Sequence, residues 1–116
     1  MALKLSEFER GWLSGLIDSD GYIYLHKNKS KECKAGFIYS ARLGIDSVSK
    51  ELVRRVKGTV GSGAIYKYTK RRKGTLGKKQ QVFWRYSLCA NGMRVLLPQI
   101  RLIAKERQRQ LLLNAL

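Results

Sequence analysis

The chain has 116 residues, of which 24 are Lys or Arg and 8 are Asp or Glu, giving a formal net charge of +16. That length suits one domain spanning 1–116, and a hydrophobic content of 44% is enough to bury a core. So large a positive excess is the electrostatic footprint of a nucleic-acid binder, and no long apolar run or basic amphipathic helix offers a membrane anchor.

The first expected element is a helix. Ser6 followed by Glu9 matches a capping box and places the N-cap at Ser6. No signal peptide is expected, because Leu3-Lys4-Leu5 leads straight into this helix. Gly11 and Gly15 share a face at i, i+4 spacing, with Ser14 beside them. Each glycine inside a helix costs roughly 0.5–1 kcal/mol relative to alanine, a cost accepted where another backbone must come close. The segment 6–18 therefore reads as a helix that packs tightly on a second helix through Gly11, Ser14, Gly15 and Asp18. It delivers Asp18 and Asp20 at its C-terminal end, where the helix dipole disfavours carboxylates unless a cation or donor meets them.

After Gly21 the period changes to two. Tyr22, Tyr24, His26 and Asn28 alternate with Ile23, Leu25 and Lys27, predicting a half-buried strand with Ile23 and Leu25 inward. Residues 27–34 are polar and basic and read as a loop. A second strand is expected over Phe37–Ile45, with Ala41, Leu43 and Ile45 on one side and Ser40, Arg42 and Gly44 on the other. A short helix follows at Ser49–Val56, broken by Gly58, Gly61 and Gly63. A third strand is expected at Ala64–Thr69, showing Tyr66 and Tyr68 on one face. A basic turn at 70–79 carries Lys70, Arg71, Arg72, Lys73, Lys78 and Lys79, and a fourth strand covers about 81–89. Asn91 opens another helix that Pro98 ends or bends. A last helix runs from about Ala104 to Leu116.

Hairpins alternating with helices predict an α+β fold with one antiparallel sheet. Such a sheet can bury one face and leave the other wet. The wet face would carry Tyr22, Tyr24, His26, Asn28, Ser40, Arg42, Tyr66, Tyr68, Lys70 and Arg85. Arg42 and Arg85 are candidates for guanine contacts, and His26 and Asn28 for other bases, in a major groove that displays distinct donor and acceptor patterns. The basic loops, including Arg71 and Arg72, suit phosphates. Cys33 and Cys89 are too few for a disulfide framework and lack metal-ligand spacing to His26. They are expected as reduced thiols of an intracellular protein, with Cys89 buried.

The run Leu13-Ser14-Gly15-Leu16-Ile17-Asp18-Ser19-Asp20-Gly21 resembles the signature of the LAGLIDADG homing endonucleases, departing from it only at Ser14 and Ser19. The resemblance implies an αββαββα fold whose saddle-shaped antiparallel sheet lies on double-stranded DNA, with the helices on one face. One motif copy implies a homodimer, and the activity implied is magnesium-dependent, site-specific cleavage with staggered ends, without a small-molecule substrate. Asp20 matches the metal-binding acid, with the Gly21 carbonyl a further oxygen donor, while Asp18 matches the motif's other acid. Lys105-Glu106-Arg107-Gln108 resembles the family's Lys-x-x-Gln region, making Lys105 and Gln108 candidates near the reacting phosphate. Asp46 lies where many members place a residue that orients water; it reads equally as a cap of the following helix. A nuclease-inactive relative, an RNA maturase or a DNA-binding protein, is the alternative.

Overall fold

A computed structural model describes residues 4–29, 31–32, 34, 36–71 and 80–116, with the side chains of 26–28, 37–39, 70, 71 and 80 outside the description. Helix α1 spans Glu7–Asp20, and strands β1 (Gly21–Lys29) and β2 (Phe37–Ser47) follow it. Helix α2 (Lys50–Val60) leads to strands β3 (Ala64–Arg71) and β4 (Gln80–Cys89). Helix α3 (Ala90–Leu96), a 3-10 turn at Leu97–Gln99 and helix α4 (Glu106–Ala115) complete the chain.

The four strands form one antiparallel sheet in the order β1-β2-β4-β3, so the two hairpins meet along their second strands. Alternation decides the two faces. Ala41, Leu43 and Ile45 of β2 and Tyr86 and Leu88 of β4 are buried on one face. They pack with Leu13 and Ile17 of α1, Val53, Val56 and Val60 of α2, Met93 and Leu96 of α3, and Leu112 of α4. The helices thus cover one face and leave the other, with Tyr22, Arg42, Arg85 and their neighbours, open.

Several boundaries move from those expected. Helix α1 starts as its capping box requires: Ser6 Oγ accepts from the Glu9 amide at 3.1 Å and Glu9 Oε1 from the Ser6 amide at 2.9 Å. It continues past Asp18 to Asp20 and stops at Gly21. A Cβ at Gly21 would lie 2.8 Å from the Ile17 carbonyl oxygen and 3.3 Å from that of Gly44, so close packing demands the glycine. Helix α2 is not broken at Gly58. Its buried stripe Val53, Val56, Val60 carries it to Gly61, which ends it in the left-handed region at φ 85°. Helix α4 begins at Glu106, two residues later than expected, with Lys105 at its N-cap. Leu25, expected inward, is 43% exposed because β1 is an edge strand and α4 covers it only in part. Cys89, expected buried, is exposed where β4 hands over to α3. Cys33 and the basic turn 72–79 lie outside the described residues.

Candidate functional site

Two sets of side chains make up the candidate site, one at the end of α1 and one on the open sheet face. The first is tied together by Asp18. Its carboxylate accepts from the amides of Ile103 and, at 3.0 Å, Lys105, and the Lys105 ammonium donates to the Asp18 carbonyl. The Ile103 amide, with those of Lys105 and Ala104 and the Lys105 charge, holds the Asp18 carboxyl below its ordinary value of 3.8 despite partial desolvation. This answers the electrostatic objection to acids at a helix C-terminus, since amide donors and a cation meet the charge there. Asp20 is exposed two residues on, and among the described residues no donor engages its carboxylate. Asp20 and Gly21 therefore stand at a surface with Lys105 fastened to the same helix end. Gln108 is placed otherwise. It lines an apolar groove between β1 and α4 with Ile23, Tyr24, Leu25, Leu111 and Leu112.

The second set lies on the open sheet face. Tyr22, Tyr24, Arg42, Tyr66, Tyr68, Arg85 and Ser87 line a concavity of about 400 Å³ drawn from all four strands. Asp46 faces Arg85 across β2 and β4. Arg85 Nε donates to Asp46 Oδ1 at 2.9 Å and Nη2 to Oδ2 at 3.1 Å, while the Tyr68 hydroxyl donates to Oδ2 at 3.0 Å. The Arg85 guanidinium lies 4.8 Å from the Tyr68 ring centre and 5.9 Å from that of Tyr22. The bond to Asp46 raises the guanidinium pKa further above its high ordinary value. Desolvation raises the hydroxyl pKa of Tyr22, and burial with the bond to Asp46 raises that of Tyr68. Arg42, opposite Tyr24, is exposed and donates to Ser87 Oγ at 3.2 Å. Ser40 is half-buried on β2 opposite His26.

The sheet-face expectation survives for Tyr22, Tyr24, Arg42, Tyr66, Tyr68 and Arg85. His26 and Asn28 in β1, and Lys70 and Arg71 in β3, have described backbones only, and Arg72 lies outside the described residues. Asp46 does not cap α2. Ser49 does, accepting from the Leu52 amide at 3.2 Å. The strand simply carries Asp46 one position past Ile45, which pairs with Gly21, and so keeps it on the sheet face. Phe83, stacked on Tyr68 with ring centres 5.4 Å apart, and Ser87 belong to the same face. Extending the alternation from Arg85 along β4 would have found both. Buried Arg109 has no such signal: it sits in a basic run, yet donates to the Leu97 carbonyl at 2.9 Å and to the Glu106 carboxylate at 2.9 Å.

The metal expectation can be tested against the donors present. Among the described residues no three His, Cys, Asp or Glu side chains gather in one place. Magnesium binds through one or two carboxylates and keeps water and phosphate oxygens for the rest. A single unengaged carboxylate therefore fits such a site, with water and phosphate oxygens as the remaining ligands.

The family model of the LAGLIDADG-like domain matches residues 7–113. The chain belongs to that family. The fold resembles the archaeal intron-encoded homing endonuclease I-Vdi141I complexed with DNA, at 18% identity and a TM-score of 0.70 over 91% of this chain and 65% of that one. It also resembles the homing endonuclease I-CvuI in complex with a DNA target, at 17% identity and a TM-score of 0.65 over 93% and 65% of the two chains. The meganuclease I-SmaMI bound to uncleavable DNA is similar at 20% identity and a TM-score of 0.68 over 89% of this chain and 34% of that one. The chain thus spans just under two thirds of the first two proteins and about a third of the last. A comparison with curated proteins finds no match by sequence. Among the described residues no helix is long and apolar enough to cross a membrane.

Proposed function

We propose that the protein is a site-specific double-strand DNA endonuclease that works as a homodimer of one domain per chain and depends on magnesium. The observation that carries this reading is Asp20, an unengaged carboxylate at the end of a helix whose outer face has no partner within the described chain. On that face Phe8 is 78% exposed and Gly11 and Gly15 follow at helical spacing. A Cβ at Gly11 or Gly15 would meet nothing within 4 Å, so packing within the chain does not explain either glycine. Approach of a second α1 does, and a two-fold contact there sets two Asp20 carboxylates side by side.

Asp20 and the Gly21 carbonyl would hold the metal. When bound there, it would supply Lewis-acid stabilisation of the phosphate and a lowered water pKa. Lys105, fixed by its bond to the Asp18 carbonyl, sets a positive charge at the same helix end to steady the charge that develops at phosphorus. The tyrosine and arginine face lies in the major groove, where aromatic rings and donors meet base edges. Basic residues at 70–79 and in the 27–34 loop hold phosphates and set the register. That I-Vdi141I and I-CvuI are seen with DNA, and I-CvuI with magnesium or calcium present, supports the same reading.

The test is Asp20→Asn. It keeps shape and removes the charge that holds the metal, which should cost roughly 4 kcal/mol in the transition state, about a thousandfold in cleavage rate. Duplex binding should persist or tighten, because a negative charge facing phosphates is gone. Cleavage at the wild-type rate would remove Asp20 from the reaction and leave a DNA-binding or RNA-maturase role standing.

A further inference from the structure

We infer that Arg85 reads a guanine in the major groove and that Asp46 is the positioning residue that holds it for that base. This deepens the proposed function and rests on the open sheet face lying on DNA. The geometry of the guanidinium carries it. Asp46 engages the edge formed by Nε and Nη2. The edge formed by Nη1 and the outer Nη2 hydrogen remains, and among the described residues no acceptor meets Nη1. Two donors side by side match the O6 and N7 acceptors of guanine. The Tyr22 and Tyr68 rings flank the group, and the Tyr68 hydroxyl fastens Asp46 in turn, so side-chain rotation is restricted before DNA arrives. With 43% of the Arg85 side chain exposed, the remaining edge is open to a ligand.

The carboxylate also selects the kind of acceptor. A phosphate approaching Arg85 would be repelled by Asp46 close by, whereas guanine O6 and N7 are neutral. Arg85 therefore differs from the lysines and arginines of the loops, which suit phosphates. Asp46 acts through Arg85, not on the reacting phosphate. Its register one position beyond the Ile45–Gly21 pair puts the guanine near the cleaved centre of each half-site.

The test uses the full-length protein and a pool of randomised DNA duplexes, sequenced after selection by binding. Wild type should enrich sites with guanine at one symmetric position in each half. Arg85→Lys loses the paired donors and Asp46→Asn loses the two-acceptor clamp, so each should reduce the guanine preference at that position about tenfold while the other positions keep theirs. Single-turnover cleavage of the wild-type site at saturating Asp46→Asn should fall less than tenfold. Two outcomes overturn the inference alone: preserved guanine preference in either variant, or a collapsed cleavage rate in Asp46→Asn with its sequence profile intact, which makes Asp46 a water-orienting group. Wild type enriching no sequence at all would overturn the DNA reading itself. Should Asp46→Asn fail to fold, as thermal melting would show, Tyr68→Phe, which removes the hydroxyl bond to Asp46, tests the positioning in its place and should also lower the guanine preference.

Discussion

The Tyr22 ring lies across Gly44, its partner in the β1–β2 ladder, so closely that a Cβ on Gly44 would sit 2.1 Å from the tyrosine Cζ. Glycine at this point lets β1 send an aromatic ring over β2 toward Arg85 on β4. Gly44→Val should push the ring away and cost about 1–3 kcal/mol, the usual range for overpacking. The loss should appear as a lower melting temperature together with weaker duplex binding. Unchanged affinity in a folded Gly44→Val would mean that the Tyr22 position is irrelevant to the DNA face.

Asp18 makes a prediction about pH. Its folded-state pKa is depressed, so its contribution is complete above the unfolded value of 3.8 and disappears as pH falls through the folded value. Wild type should therefore be more stable than Asp18→Asn at neutral pH. The difference should close below about pH 4, where ordinary carboxylates protonate. Denaturant unfolding at several pH values measures this. A gap that widens in acid would contradict the hydrogen bonds assigned to Ile103 and Lys105.

Gly15→Leu should separate folding from association. Nothing within 4 Å opposes a Cβ at Gly15 inside the chain, and leucine is the better helix former. The variant should fold at least as well as wild type but sediment as a monomer and lose cleavage. An intact dimer would place the two-fold contact elsewhere than on α1.

Arg109 tests the core. The guanidinium is 4% exposed and neutralised by Glu106, with the Leu97 carbonyl taking Nε. Arg109→Ala removes the cation from that carboxylate, which keeps only the Leu102 amide, and leaves the Leu97 carbonyl without the Nε donor. Removing one partner of a buried pair typically costs about 3 kcal/mol, a melting-temperature drop on the order of 10 °C for a domain of this size. Substitution of exposed Arg107 should cost almost nothing by the same thermal measurement.

Salt dependence addresses the basic loops. If they hold phosphates, log affinity should fall linearly with log salt, by about 0.9 per phosphate neutralised. Replacing Lys78 and Lys79 with alanine should flatten that slope without altering the preferred sequence. A steep slope untouched by the double variant would assign the phosphate contacts to other residues.

The sequence by itself determined the features that local physics decides. The capping box at Ser6 and Glu9 started α1, and the change of period at Gly21 began β1. Alternation put Tyr22, Tyr24, Arg42, Tyr66, Tyr68 and Arg85 on one face, because successive strand residues must point to opposite sides. The motif at 13–21 carries the family signature. The tertiary structure alone decided the strand order β1-β2-β4-β3, the tie from Asp18 to Ile103 and Lys105, and the union of Asp46 with Arg85 and Tyr68. These partners lie 85, 87, 39 and 22 residues apart. No spacing rule connects groups so distant, since pairing them depends on sheet register and on which helix end a loop returns to. For the same reason Asp46, locally a plausible helix cap, became the anchor of an arginine on another strand.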